Sequence, residues 1–386
     1  SSPLMQLPGI LAFIFALLFS VMVHEFGHYL TARRFGMRVS EFFLGFGKRI
    51  WSYQRGETEF GIKAIPAGGY CRIEGMTPDD EMPDGQSHRA FYLASSAKKL
   101  IVLGAGSFLH FILGYLLLLL LLVGVGVNQV LPVIDTVAAN SAAAAAGFQK
   151  GDEIIAIDGD RSTDWQDQLD KIRNSKGRGL TFTIKRDGIE QQIIAAPRMT
   201  DIDDGTSRYV LGIINEFGTK RLDPVTSVTT SAKLTWSFTT ASAKALVQLP
   251  TKIPALWGQT FGGEKRDENG LVGIVGVARV SGQAAASGEL STSERIGTFI
   301  LIVASLNIFV GLFNLLPILP LDGGHMAVAI ADEIRAFIAR LRGRARPAGI
   351  DVKVLTPITS VVFVILALLT VLLLIADIFN PISLNL

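Results

Sequence analysis

SVMVHEFGHYLTARRFG, residues 20–36, places two histidines and a glutamate at the end of an uncharged apolar run. From Leu7 to Val23 there are 17 residues without one charged side chain, and then His24, Glu25 and His28 arrive together. Ionisable groups beside hydrocarbon are costly unless they escape to water or have work to do. A bilayer-spanning helix takes about 20 apolar residues, so the segment Leu7–Leu30 reads as a membrane span with HEFGH near its exit.

The rest of the chain supports a membrane protein: 49% of its 386 residues are hydrophobic and only 18% charged. Three further stretches are long enough to cross: Ile101–Val127, Ile296–Leu321 and Val354–Ala376. No Lys or Arg precedes the first run and no small-residue cleavage site follows it, so it reads as a span rather than a cleaved leader. A net charge of +2 with no basic block gives no footprint for nucleic acid.

Lys and Arg set the orientation. None precedes Arg33 and none follows Lys353, whereas residues 31–99 hold eleven and residues 331–353 hold six. The positive-inside rule makes those two loops cytoplasmic and puts both termini and residues 128–293 outside.

Between the first two spans, RIWSYQ, a turn at Arg55-Gly56 and TEFGIKAI read as a hairpin, with Phe60, Ile62 and Ala64 alternating against Glu59, Gly61 and Lys63. PAGGY, residues 66–70, is expected to end the second strand. An extended substrate would add to an edge strand over Thr58–Ile65, so Thr58, Phe60, Ile62 and Lys63 are candidate substrate-binding residues. Outside the membrane, GFQKGDEIIAIDG (147–159) sets a short apolar strand between two glycine turns. LTFTIKRDG (180–188) alternates, residues 164–173 look helical, and YVLGIINEF (209–217) reads as one closing strand. Residues 222–293 read as helices near the membrane followed by a glycine-rich loop, NGLVGIVG (269–276).

His24 and His28 are four apart and share one helix face, so both imidazoles can reach one zinc ion, the H-E-x-x-H arrangement in which Glu25 takes a proton from water. Zinc acting in catalysis needs a third protein ligand. Cys71 is the only cysteine, which turns the search to carboxylates. NLLPILPLDGGHMAV (314–328) supplies Asp322 at the cytoplasmic end of the third span, before an amphipathic helix carrying Met326, Ile330, Ile334, Phe337, Ile338 and Leu341. Asp322 alone is equally readable as a helix cap; beside a histidine pair lacking a third ligand, it reads as that ligand.

HEFGH, the GFG…PAGGY hairpin, the GFQKGDEIIAIDG module and NLLPILPLDGG occur in the order seen in site-2 proteases, and the chain resembles that family of intramembrane zinc proteases, its actinobacterial branch with one soluble module in particular. The resemblance implies His24, His28 and Asp322 as zinc ligands, Glu25 as general base, and Asn314 as a residue holding substrate or the developing oxyanion. It implies a PDZ-like module that either binds substrate ends or bars bulky ectodomains, single-span membrane substrates such as anti-sigma factors, remnant signal peptides as further substrates, and a bacterial plasma membrane location. Two positions depart from the family pattern. The second span begins GSFLH, with Ser107 and His110 where the family has proline and asparagine, and GFGK carries Lys48 in place of proline.

The expected architecture is a polytopic helical membrane protein: residues 1–127 with two spans and a membrane-associated hairpin, 128–221 a PDZ-like α+β module, 222–293 a membrane-proximal region, and 294–386 the last two spans. The expected activity is zinc-dependent hydrolysis of peptide bonds in or near transmembrane segments. A non-proteolytic membrane scaffold built around the soluble module is the alternative, although a scaffold has no use for His24, Glu25, His28 and Asp322. A transporter would carry polar groups along several spans, and the second and fourth have almost none.

Overall fold

The computed structural model describes residues 2–267 and 271–382, with the side chain of Ile274 excepted. The chain opens with α1 (Pro3–Arg34), then strands β1 (Val39–Arg55) and β2 (Thr58–Ile73), then α2 (Ser96–Leu120), prolonged by a π turn to Val125. A second compact unit follows, residues 125–221. It comprises β3 (Val127–Val137), α3 (Ala142–Ala146), β4 (Glu153–Ile157), β5 (Asp160–Arg161), α4 (Trp165–Arg173), β6 (Leu180–Arg186), β7 (Ile189–Ala195), β8 (Arg198–Asp201), β9 (Ser207–Val210) and β10 (Ile213–Lys220). The first unit then resumes with α5 (Pro224–Phe261), α6 (Ile274–Ala286), α7 (Thr292–Asn314), α8 (Asp322–Leu341) and α9 (Thr356–Phe379).

Among the described residues, four helices are long and apolar enough to cross a membrane: α1, α2 with its π turn, α7, and α9 with the turn that leads into it. Large apolar side chains such as Phe15, Phe108, Phe363 and Leu368 lie exposed along them, as lipid-facing surfaces require. The third span ends at Asn314 rather than running to Leu321, because Pro317 and Pro320 deny the helix its next donors. Helix α2 packs on α1 and α7, while α6 packs on α1.

The hairpin is longer than its sequence pattern suggests. PAGGY does not end β2, which runs on to Ile73. The register breaks at Gly45 and Gly47 in β1 (φ +86° and +85°) and between Ile65 and Gly69 in β2, so each long strand contributes two segments to the sheet. Phe60 therefore pairs with both Tyr53 and Phe42, Gly61 with Ser52 and Phe43, and Ile62 with Trp51 and Leu44.

In the second unit, β10-β3-β4-β6-β7 form one sheet with β5 against β4. Its core gathers Ile134, Phe148, Ile154, Ile172, Phe182 and Ile184. Asp152, fully buried, is gripped by Arg186 through two 2.7 Å contacts and accepts from the Gln149 N–H. YVLGIINEF is not one strand. Gly212, at φ +87°, turns the chain so that Ser207–Val210 pairs with β8 and Ile213–Lys220 with β3.

Residues 222–267 are mostly one helix of 38 residues, α5, with Pro250 and Pro254 inside it. The glycine-rich NGLVGIVG is helical from Ile274 onward; its Asn269 and Gly270 lie outside the described residues. Near the end of α9, the buried carboxylate of Asp377 meets Arg266 at 3.0 Å and accepts from the N–H groups of Gly273 and Gly276 at the start of α6. Arg266 in turn donates to the carbonyls of Leu271 and Asn380.

Candidate metal centre

His24 and His28 stand one turn apart on α1, both more than nine-tenths buried. Their seat is made by glycine. A Cβ at Gly27 would lie 2.7 Å from the Ala105 carbonyl oxygen, and one at Gly106 would lie 2.6 Å from the His24 ring. Only glycine at these positions lets α1 and α2 approach with the imidazole between them. His28 Nδ1 lies 2.7 Å from the Val102 carbonyl oxygen, which can only accept; Nδ1 therefore carries a proton, and in the neutral ring Nε2 offers its lone pair inward.

Asp322 is the first residue of α8, and its carboxylate does not cap that helix. It turns to the histidines. Gly323 and Gly324 make this possible, since Cβ atoms there would lie 2.2 Å from the Leu315 oxygen and 2.4 Å from the Leu319 nitrogen. Helix α8 thus starts tight against the end of α7 and carries Asp322 across to α1.

The three donors converge: His24 Nε2 lies 3.0 Å and His28 Nε2 3.2 Å from Asp322 Oδ2, and the two nitrogens are 3.1 Å apart. Ligands held at 2.0–2.2 Å around a tetrahedral zinc ion are about 3.3 Å from one another. The observed separations fit that tetrahedron, and two imidazoles with one carboxylate form a donor set zinc accepts. Among the described residues this is the one such cluster of histidine, cysteine and carboxylate. Burial works to raise the Asp322 carboxyl, but contact with His24 and His28 holds it well below the usual carboxylate range.

Glu25 lies next to this face, half-buried, with the Cys71 backbone N–H beside its carboxylate. Burial, reinforced by the Glu25 charge, pushes the Cys71 thiol far above its ordinary range, so it is an inert packing group.

The remaining candidates lie outside the three-donor cluster and have other partners. Asn314 turns its amide back on its own helix, to the Val310 carbonyl at 3.1 Å. Thr58 is buried at the far turn and donates to the Val39 carbonyl. Phe60 and Ile62 sit in a segment already paired on both sides, and the Lys63 ammonium lies over the rings of Phe43 and Tyr70. Glu59–Ile62, the middle of Thr58–Ile65, is therefore not an edge. Two segments have one partner strand only: Trp51–Arg55 of β1, and Gly69–Arg72 of β2, which is paired to Leu44, Phe43, Phe42 and Glu41 and lies beside Glu25 and Met22.

Sequence reasoning overlooked Asn307. This buried amide in the middle of α7 bonds to Ser20 on α1 and to His110 on α2. Its signal was present: a lone amide in an apolar span is expensive and needs partners.

Comparison with known proteins gives the family. The sequence pattern of peptidase family M50 matches residues 12–356. The chain is 31% identical to the zinc metalloprotease Rip1 of Mycobacterium tuberculosis across 99% of its own length and 100% of that protein. It is 32% identical to the Rip1 of Mycolicibacterium smegmatis across 97% and 98% of the two chains. The chain belongs to peptidase family M50, the site-2 proteases, and is an intramembrane zinc metalloprotease.

Proposed function

We propose that His24, His28 and Asp322 hold the zinc ion and that Glu25 is the general base in cleavage of membrane-embedded peptide bonds. The observation that carries this reading is the convergence of three donor atoms within 3.0–3.2 Å of one another in a buried site. A bound zinc ion supplies Lewis acidity, which polarises the scissile carbonyl and acidifies water. Glu25, beside the cluster, takes the proton of the attacking water and returns it to the leaving amine. A helical substrate hides its peptide bonds in its own hydrogen bonds and must unwind to be cut. The open edge Gly69–Arg72 would receive the unwound segment as an added strand, satisfying backbone groups that are costly to bare.

In this reading the centre lies toward the cytoplasmic side, both termini and residues 125–221 are outside, and that second unit is a PDZ-like module. Single-span membrane proteins, anti-sigma factors among them, are the substrate class. The Lys and Arg distribution supports the sidedness, and the motif order supports the substrate class.

Two measurements test it. Purified protein should contain one zinc ion per chain and cut a single-span membrane protein. In a Cys71→Ala background, cysteines introduced at Asp187, Gln54 and Arg344 should be probed with a membrane-impermeant thiol reagent in intact cells. Labelling at position 187 alone is expected; labelling at 54 and not at 187 overturns the sidedness.

A further inference from the structure

A third histidine borders the metal centre. His110, on α2, is 2% exposed, and its ring centre lies 4.9 Å from that of His24. It stands outside the three-donor cluster. Its hydrogen bonds have a fixed direction. Asn307 Nδ2 lies 2.9 Å from the Val303 carbonyl oxygen and 3.1 Å from Ser20 Oγ, while Ser20 gives its own proton to the Ala16 carbonyl at 2.7 Å. Carbonyl oxygens only accept, so the Asn307 amide must present its NH2 to Val303 and Ser20 and its oxygen to His110. Asn307 Oδ1 then accepts from His110 Nδ1 at 2.9 Å. The proton sits on Nδ1, and Nε2 carries a lone pair.

His28 is set in the same way, with Nδ1–H spent on the Val102 carbonyl. The lock on His110 is more elaborate: it uses buried side chains from α1 and α7, and Ser20 lies one helical turn before His24 itself. An apolar residue at 110 would fill the same space with no need for a buried serine and asparagine. Two buried polar groups kept in register specify one tautomer.

We propose that His110 is a positioning residue whose Nε2 is a fixed hydrogen-bond acceptor on the wall of the metal pocket, orienting the water that attacks the peptide bond. This rests on the proteolytic reading above. Such a water must aim its lone pair at the carbonyl carbon while Glu25 takes one of its protons. In a buried pocket the second O–H needs an acceptor of its own, or the group is left unsatisfied at a cost. A locked imidazole offers that acceptor in one orientation, whereas an amide at the same place could present either a donor or an acceptor.

The test uses the full-length protein loaded with Zn²⁺ or Co²⁺. His110→Phe keeps a ring and removes both nitrogens; Asn307→Leu keeps the imidazole and removes its lock. His110→Phe is expected to hold metal with little change in affinity, to lower kcat by roughly 10- to 100-fold with KM nearly unchanged, and to shift the visible absorption of the Co²⁺ protein. Asn307→Leu should produce a smaller change of the same kind, and the double variant should be no worse than His110→Phe. An unshifted Co²⁺ spectrum with additive losses in kcat and thermal stability overturns the assignment in favour of packing. A tenfold or greater loss of metal affinity in His110→Phe overturns it in favour of direct ligation. Wild type that holds no metal overturns the metal-centre reading and this assignment together. Wild type that binds and cleaves, matched in every readout by His110→Phe, overturns this assignment alone.

Discussion

Two buried polar clusters in the membrane unit are built on opposite principles. At Asp377 and Arg266, opposite charges meet, and both carboxylate oxygens and both terminal nitrogens of the guanidinium find partners, from the Gly273 and Gly276 N–H groups to the Leu271 and Asn380 carbonyls. At His24, His28 and Asp322, three electron-pair donors crowd to within 3.0–3.2 Å of one another. The first cluster pairs opposite charges within itself and leaves only the buried Arg266 Nε without an acceptor. The second brings two imidazole nitrogens and a carboxylate oxygen together at the separations a bound cation would need. Burial of polar groups is common to both; what distinguishes a structural cluster from a reactive one is whether donors face acceptors.

That contrast is broken most severely at the ligands. His24→Ala and Asp322→Ala should each lose zinc and fall to background cleavage, as read by metal analysis and by turnover of a single-span substrate. Either variant retaining full metal and activity would show that the crowded donors serve no ion.

The closed cluster should fail differently. Asp377→Leu strands Arg266 in a buried site, which costs about 3–5 kcal/mol and should appear as a lowered melting temperature. Metal stoichiometry in the folded fraction should not change. Arg266→Met together with Asp377→Leu should recover most of the loss, since no charge is then left uncompensated. A double variant as unstable as the single would show that the pair does more than satisfy itself.

Glu25→Gln separates binding from chemistry within the open cluster. All three proposed ligands remain, so zinc should stay, while turnover drops by about 100-fold, equivalent to about 2.7 kcal/mol. Normal cleavage by this variant would remove Glu25 from the role of base.

The smallest effect belongs to the second unit, where Asp152 and Arg186 repeat the closed design. Burial works to raise the Asp152 carboxyl, but the Arg186 guanidinium overrides it and holds the group below its usual value. A carboxyl with a lowered folded-state pKa stabilises the fold above the ordinary aspartate value, near pH 4, and loses that contribution as pH falls further. Asp152→Asn should therefore lower hydrogen-exchange protection in residues 125–221 by about 2 kcal/mol at pH 7. The gap from wild type, compared at equal pH, should narrow below about pH 4. A gap that persists unchanged in acid would show that the charge is not what stabilises this unit.

The spans and the three converging donors were legible because each rests on a local rule: apolar length for the spans, a four-residue repeat for His24 and His28, and a helix break for Asp322. What escaped was set by partners distant in sequence. β2 continues through PAGGY because β1 offers a second segment, Glu41–Leu44, for Gly69–Arg72 to pair with. The same doubling covers Phe60 and Ile62 on both sides and removes them as an edge. Helix α5 was obscured by Pro250 and Pro254, which a local reading takes as breaks. Asn307 was visible as an oddity, but its partners Ser20 and His110 are 287 and 197 residues away.

The donor atoms of His24 and Asp322 are separated by 298 positions in the chain. A ribosome delivers them in that order: both histidines and Glu25 enter the membrane early, and the carboxylate arrives only at residue 322 of 386. Until then the chain lacks the third protein donor that a catalytic zinc site requires. On the proposed ligand set, the growing polypeptide would thus be inserted, among other newly made membrane segments, without the means to cut them. Products of arrested translation that end before residue 322 would lack that donor as well, so on the proposed ligand set the last part of the centre to be synthesised is the part that arms it.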